Sequence, residues 1–178
     1  AFNNQFSGLP PDILQKLHIY GWNNGSYILV KNNLVNREAS AIDAIIGLDI
    51  IMEVDSSYGG DTVSFDQSTG IIDTYRGGTH AGVKFLSHDL TSLASLSYYS
   101  GYYEDTSYWN WLNQGTIDEF FVADEGGPLS IGAINSLNIV PGDSVIFYYA
   151  IAVGADADEM ASNMNEAEAK FNSITSIE

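Results

Sequence analysis

Val145-Ile-Phe-Tyr-Tyr-Ala-Ile-Ala-Val153 runs straight into Gly154-Ala-Asp-Ala-Asp-Glu-Met160, and this junction decides the fold. The first nine residues carry no charge and are rich in aromatic and β-branched types, with the turn residues Pro141-Gly142-Asp143 ahead of them. They read as a central strand. Gly154 ends the run. Asp156 and Glu159 have the spacing of a capping box, in which two side chains satisfy free amides at the start of a helix. Met160, Met164, Ala167, Phe171 and Ile174 then share one stripe, while Asp158, Glu166 and Lys170 face water. This periodicity predicts an amphipathic helix over 156–174.

Upstream, the pattern is one of short strands cut by turn residues. Lys16-Leu-His-Ile-Tyr20 alternates and precedes the turn Trp22-Asn-Asn-Gly25, and Tyr27–Val35 is the next strand. Ala44–Val54 reads as a second long central strand, with Ile46, Leu48, Ile50, Met52 and Val54 on its core face. Thr62–Phe65 and Ile71–Tyr75 form a hairpin. His80–Leu86, Ile117–Val122, Leu129–Ile134 and Leu137–Val140 are further strands. Between them Tyr98–Leu112 breaks the pattern, and Glu104-Asp105-Thr106 predicts the cap of a short helix, an excursion over about 104–113. The fold class is therefore mainly β: an antiparallel β-sandwich with a short helical excursion and a C-terminal amphipathic helix. Residues 1–12, closing on Pro10-Pro11, read as an N-terminal extension or a donor or edge strand, with Phe2, Phe6 and Leu9 as its apolar contacts. Residues 13–178 read as one sandwich domain.

Composition narrows the partners. Of 178 residues, 45% are apolar, enough for a core, and 23 acidic against 6 basic residues give a net charge of −17. Such a surface repels phosphate backbones and anionic headgroups, which argues against nucleic acid and membrane partners. An acidic, Lys-poor surface suits a secreted protein in salty water, where counterions screen its self-repulsion. There is no cysteine, so disulfides, thiolate zinc sites and thiol nucleophiles are excluded. No apolar run reaches the roughly 18 residues of a membrane span, and Ala1-Phe-Asn-Asn lacks Met and a basic leader, as in a processed or excised chain.

The candidate constellations are few. His18, His80 and His88 lie in no motif with a nucleophile, and there is no Gly-x-Ser-x-Gly elbow, so no catalytic residue is assigned and the chain is read as non-enzymatic. Asp49, Glu53 and Asp55, with Asp61, Asp66 and Asp73 in nearby turns, could offer hard oxygens to Ca²⁺, but a wet acidic face explains them more simply. No metal site or cofactor is assigned beyond that Ca²⁺ option. Tyr98, Tyr99, Tyr102, Tyr103, Tyr108, Trp109 and Trp111 form the densest cluster. These rings could stack on sugars, anchor a neighbouring subunit, or pack the excursion onto the sheet, and packing or subunit contact takes precedence over a sugar site. Asn24-Gly-Ser26 is a sequon that chance readily supplies.

Gly127-Pro-Leu-Ser-Ile-Gly, Val140-Pro-Gly-Asp-Ser-Val and Val153-Gly-Ala-Asp-Ala-Asp-Glu-Met, with a helix ending Ala167-Glu-Ala-Lys-Phe-Asn, resemble a non-catalytic module of secreted Bacteroidetes-type proteins. Tyr27–Asn36 leading into Gly47–Asp55, and His80–Leu86, are similar as well, so the likeness covers about residues 27–174. Such proteins leave through the type IX secretion system, and the module often follows a subtilisin-like peptidase. The resemblance implies a cell-surface or extracellular β-sandwich without catalytic residues of its own. Asp61-Thr62-Val63 and Asp143-Ser144-Val145 resemble the sites at which such proteins carry O-glycans, on Thr62 and Ser144. The expectation is an extracellular structural or adhesive module, a subunit of a surface filament or layer, partnered by copies of itself or another extracellular protein. The alternative is a carbohydrate-binding or accessory module of a secreted hydrolase, with polysaccharide as partner.

Overall fold

The computed structural model describes residues 11–56, 59–99, 102 and 104–175. The elements are β1 (Ile13–Gly21), β2 (Tyr27–Asn36), β3 (Ile42–Ala44), β4 (Gly47–Ile50), β5 (Thr62–Asp66), β6 (Ile71–Arg76), β7 (Thr79–Phe85) and β8 (Ser92–Ser97), followed by α1 (Asp105–Leu112), β9 (Phe120–Val122), β10 (Pro128–Ala133), β11 (Leu137–Ile139), β12 (Ser144–Gly154) and α2 (Ala157–Thr175). A seven-stranded sheet has the order β1-β2-β12-β7-β6-β5-β9, a three-stranded sheet the order β4-β10-β8, and β11 pairs with β3. Every pairing between these strands is antiparallel. The protein is a mainly β sandwich with a helix on each outer face.

The uncharged run is the interior strand it was expected to be. Flanked by β2 and β7, β12 needs both faces covered. Phe147 points between the two sheets, where it joins Val63, Ile72, Val83 and Phe85 of the large sheet and Ile50 and Leu93 of the small one. Ala150 and Ala152 point the other way, onto α2, beside Leu29, Ile71, Met160, Met164 and Ala167. Small residues are needed there because the helix comes close: a Cβ on Gly82 would lie 2.4 Å from the Met160 sulfur. The cap of α2 forms as the spacing predicts, with the Glu159 amide donating to Asp156 Oδ1 at 2.8 Å and the Ala155 amide to Glu159 Oε2 at 2.8 Å. Phe171 and Ile174 pack at the margin of the same seam, so the whole predicted stripe faces the body.

The strand expected over Ala44–Val54 is broken. Only Ala44, the last residue of β3, and Gly47–Ile50, which is β4, are strand; β3 pairs with β11 and β4 with β10, the Ile134 amide donates to the Ile46 carbonyl between them, and residues 51–53 leave the sheet. Ile46, Ile50 and Val54 are still buried, because alternation specifies a face and leaves the pairing partner open. β8 carries no strand signal in the sequence. Its Ser-Leu-Ala-Ser-Leu-Ser composition is turn-like, and only bonds such as the 3.2 Å contact between Ser95 Oγ and Ser130 Oγ on β10 make buried serines tolerable. Of the run Ile117–Val122, only Phe120–Val122 is strand, and Ile117 makes a single parallel bridge to Leu93. Phe2, Phe6 and Leu9 of the extension lie outside the described residues.

β10 is buried along its entire length because the small sheet is also covered on both sides. Register puts Leu48, Ile50, Ser130, Gly132, Leu93 and Ser95 on the face toward the large sheet. Gly47, Asp49, Ile131, Ala133, Ser92 and Ala94 occupy the other face, which α1 covers.

Candidate functional site

The aromatic segment forms α1 and the turn before it. Glu104 occupies the N-cap in an extended conformation, and its carbonyl rather than its side chain accepts from the Ser107 and Tyr108 amides. Asp105 in the first turn faces the positive end of the helix dipole. At the other end Asn113 closes the helix, its amide and side chain both donating to the Trp109 carbonyl at 3.1 and 2.8 Å.

One side of α1 is held against the small sheet. The Tyr108 hydroxyl donates to Asp49 Oδ2 at 2.6 Å, and Ser92 Oγ donates to the Trp111 carbonyl at 2.7 Å. A Cβ on Gly47 would sit 2.2 Å from Leu112 Cδ2, so glycine lets the helix settle on β4. Trp111 stands edge-on to both Tyr108, at 5.6 Å and 78°, and Tyr99, at 6.4 Å and 86°. Partial burial pushes the Tyr108 hydroxyl above its ordinary range, and the adjacent Asp49 carboxylate adds to the shift. Burial likewise raises the Asp49 carboxyl, while the bond from Tyr108 works against that rise.

The other side is open to solvent. Trp109 is 63% exposed, and Tyr98 and Tyr99 are 49% and 45% exposed. Tyr102 packs beside Tyr98 at a ring separation of 4.9 Å. The cluster therefore divides: Tyr108 and Trp111 anchor the helix, whereas Tyr98, Tyr99 and Trp109 present apolar rings outward. Tyr103 lies outside the described residues.

The acidic residues are dispersed. Asp49 is engaged by Tyr108, buried Asp61 by Arg76 Nε at 2.7 Å, and Asp73 by His80 Nδ1 at 2.7 Å, while Asp66 accepts from Ser68 and Thr69 within its own turn. Among the described residues no three His, Asp or Glu side chains converge as a metal site would require. Glu53 and Asp55 are exposed. His80 also stacks on Tyr75 at 4.9 Å, and His88 meets Ser87 Oγ at 2.9 Å, an oxygen that also accepts the Tyr148 amide. Thr62 and Ser144 open β5 and β12 and are half-buried; Asp143 beside Ser144 is exposed, while Asp61 beside Thr62 is not. Asn24 and Ser26 of the sequon are exposed in the turn between β1 and β2.

Sequence reading missed a groove of about 590 Å³ lined by Gly21, Trp22, Asn23, Tyr27, Ile151 and Val153, among others. Lys170 of α2 lies 5.6 Å from the Trp22 ring at this end of the molecule. A smaller cleft of about 260 Å³ lies between β1–β2 and β3–β4, lined by Ile13, Gln15, Asn32, Leu34, Ile46 and Ile139 among others. Each assembles residues far apart in the chain, so no local pattern marks them.

No protein-family model matches the chain, and no curated protein sequence matches it. Its architecture does recur among solved structures. A crystal structure from Klebsiella pneumoniae subsp. pneumoniae MGH 78578, provisionally named an aldose 1-epimerase, superposes with a TM-score of 0.52 at 11% identity. The likeness covers 94% of this chain and 52% of that one, so the chain spans about half the length of its structural neighbour. At this identity the likeness establishes the β-rich fold and nothing about chemistry.

Proposed function

We propose that this chain is a non-enzymatic structural or adhesive module acting outside the cell, which uses the outward face of α1 as a contact surface. The observation that carries the reading is Trp109, exposed on a short helix whose opposite side is fixed by the Asp49–Tyr108 and Ser92–Trp111 bonds. A large ring left in water on a held scaffold loses little further entropy when a partner covers it, and Trp and Tyr are the usual anchors of interfaces. The acidic, Lys-poor composition and the likeness to secreted Bacteroidetes-type modules support an extracellular setting and the type IX route. The non-enzymatic reading is supported by His80, held by Asp73 and the Tyr75 ring of the neighbouring strand, and by His88, bonded to the adjacent Ser87.

A second reading, polysaccharide binding on the same rings, is favoured by the exposure of Tyr98 and Tyr99 beside the helix. Engagement of the Asp49 carboxylate by Tyr108 removes a nearby acceptor for sugar hydroxyls and weakens it. Negative-stain microscopy of the full chain with and without Ca²⁺ tests the first reading, with Trp109→Ala and Tyr99→Ala as variants. Regular assemblies that disappear in the variants, with thermal unfolding unchanged, are the expected result. Retention on insoluble polysaccharide that both variants abolish, with no assembly seen, would replace it with the second.

A further inference from the structure

We infer that the open edge of β1 is a self-association surface, on which a second copy of this chain pairs antiparallel about a twofold axis at Leu17. The inference is independent of the role of α1. β1 ends the seven-stranded sheet, paired with β2 at nine successive positions and with no other strand among the described residues. It contains no proline and no bulge, two of the devices that blunt an edge, and its one charged residue, Lys16, alternates onto the face away from Leu17 and Ile19.

The direction of its backbone groups follows from neighbouring bonds. The Arg37 amide donates to the Asp12 carbonyl at 2.9 Å, one step beyond the Ile13–Asn36 pair. Alternation then turns the amides and carbonyls of Leu14, Lys16, His18 and Tyr20 toward β2. The Asn36 amide instead donates to the Asp143 carbonyl on the β12 side, as that alternation requires. Gln15, Leu17, Ile19 and Gly21 therefore present their backbone groups to the open edge. Antiparallel pairing centred on Leu17 sets Leu17 opposite Leu17 and Gln15 opposite Ile19, so every outward amide meets an outward carbonyl.

Side chains and charge favour the same arrangement. Leu17 and Ile19 are 52% and 62% exposed on one face of the strand, continuous with Ile28, Ile151 and Val153 at the groove. A second copy would continue this apolar strip across the axis, with Leu17 packed side by side with its counterpart. β1 and β2 contain no Asp or Glu, although the chain carries 23 acidic residues. Two copies at −17 each repel over most of their surfaces, and this edge is where they approach without carboxylate facing carboxylate. Salt screens the remaining repulsion, so association strengthens as salt is added.

Sedimentation of the full chain at tens of micromolar, in low and high salt, tests the inference. The expected result is a dimer favoured by salt. Leu17→Pro deletes an outward amide and none of those bonded to β2, so it should weaken the dimer about tenfold or more with β1 still in place. The pair Leu17→Lys, Ile19→Lys leaves the backbone untouched and should also give monomers, by setting like charges across the axis. Leu17→Cys, in a chain without cysteine, should oxidise to a covalent dimer. A wild-type chain that stays monomeric in both salts, or a dimer indifferent to the Pro and Lys variants alike, overturns the inference.

Discussion

The two helices cover opposite faces of the sandwich by different means. α2 lies on the large sheet through a continuous apolar seam, in which Met160, Met164 and Ala167 are buried against Ala150 and Ala152. α1 lies on the small sheet with none of its residues fully buried, held by the Tyr108–Asp49 and Ser92–Trp111 bonds and by partly covered rings. The seam draws on the hydrophobic effect, at about 1.5–3 kcal/mol for each large side chain buried. The bonds of α1 each contribute about 1 kcal/mol net and depend on direction. A helix held by its seam is a wall of the fold, whereas one held at a few polar points can leave its outer rings free for a partner.

Substitutions can break this contrast, beginning with the largest effect. Met164→Ala opens a cavity under α2 and should lower unfolding stability by about 2–5 kcal/mol in a denaturant titration. Trp111→Ala removes a half-buried ring and should cost less, about 1–3 kcal/mol by the same measurement. Tyr108→Phe deletes one hydrogen bond and should cost about 1 kcal/mol; a loss as large as that of Met164→Ala would mean that α1 is no less embedded than α2. Trp109→Ala, on the open side, should change stability by less than about 0.5 kcal/mol, and a larger loss would show its ring to be part of the packing.

A pH series sharpens the same comparison through Asp49. Partial burial against α1 raises its carboxyl above the ordinary 3.8, so the folded chain holds that proton more tightly than the unfolded chain does. The associated stability is full below the ordinary value and lost as pH rises through the raised one. Asp49→Asn keeps an acceptor for Tyr108 without that loss. Because Asp49 is also open to solvent, which screens the penalty, the substitution should stabilise the chain only slightly at neutral pH, by at most about a few tenths of a kcal/mol, with the gain vanishing in acid, as read from thermal midpoints across the series.

The legible parts of the molecule were those set by local periodicity. The β12–α2 junction could be read because an uncharged run, a glycine and a capping box state one strand, one stop and one helix start within a few residues. The core face of Ala44–Val54 could be read for the same reason, but its division, with Ala44 ending β3 and Gly47–Ile50 forming β4, could not. That division depends on β10 and β11, which arrive much later in the chain. β8 escaped notice because its serines look like turn residues until Ser130 and Trp111 satisfy them.

The candidate site was half legible. Density of rings singled out Tyr98–Trp111, yet composition treats Trp109 and Trp111 alike. Their separation into exposed and anchored rings depends on Asp49 and Ser92, two residues on different strands. The groove beside Trp22 gave no sign at all, since Ile151 and Val153 reach it only after the sheet has formed.

By itself, then, the sequence determined the class of fold, the strand–helix junction, the seam of α2 and the net charge of −17. These follow from alternation, helical spacing, capping and net charge, all properties of neighbours in the chain. Tertiary structure alone decided which strand ends the large sheet, which rings remain in water and which acids are engaged. Those outcomes depend on contacts between distant residues, and burial makes such contacts obligatory only once the chain has closed.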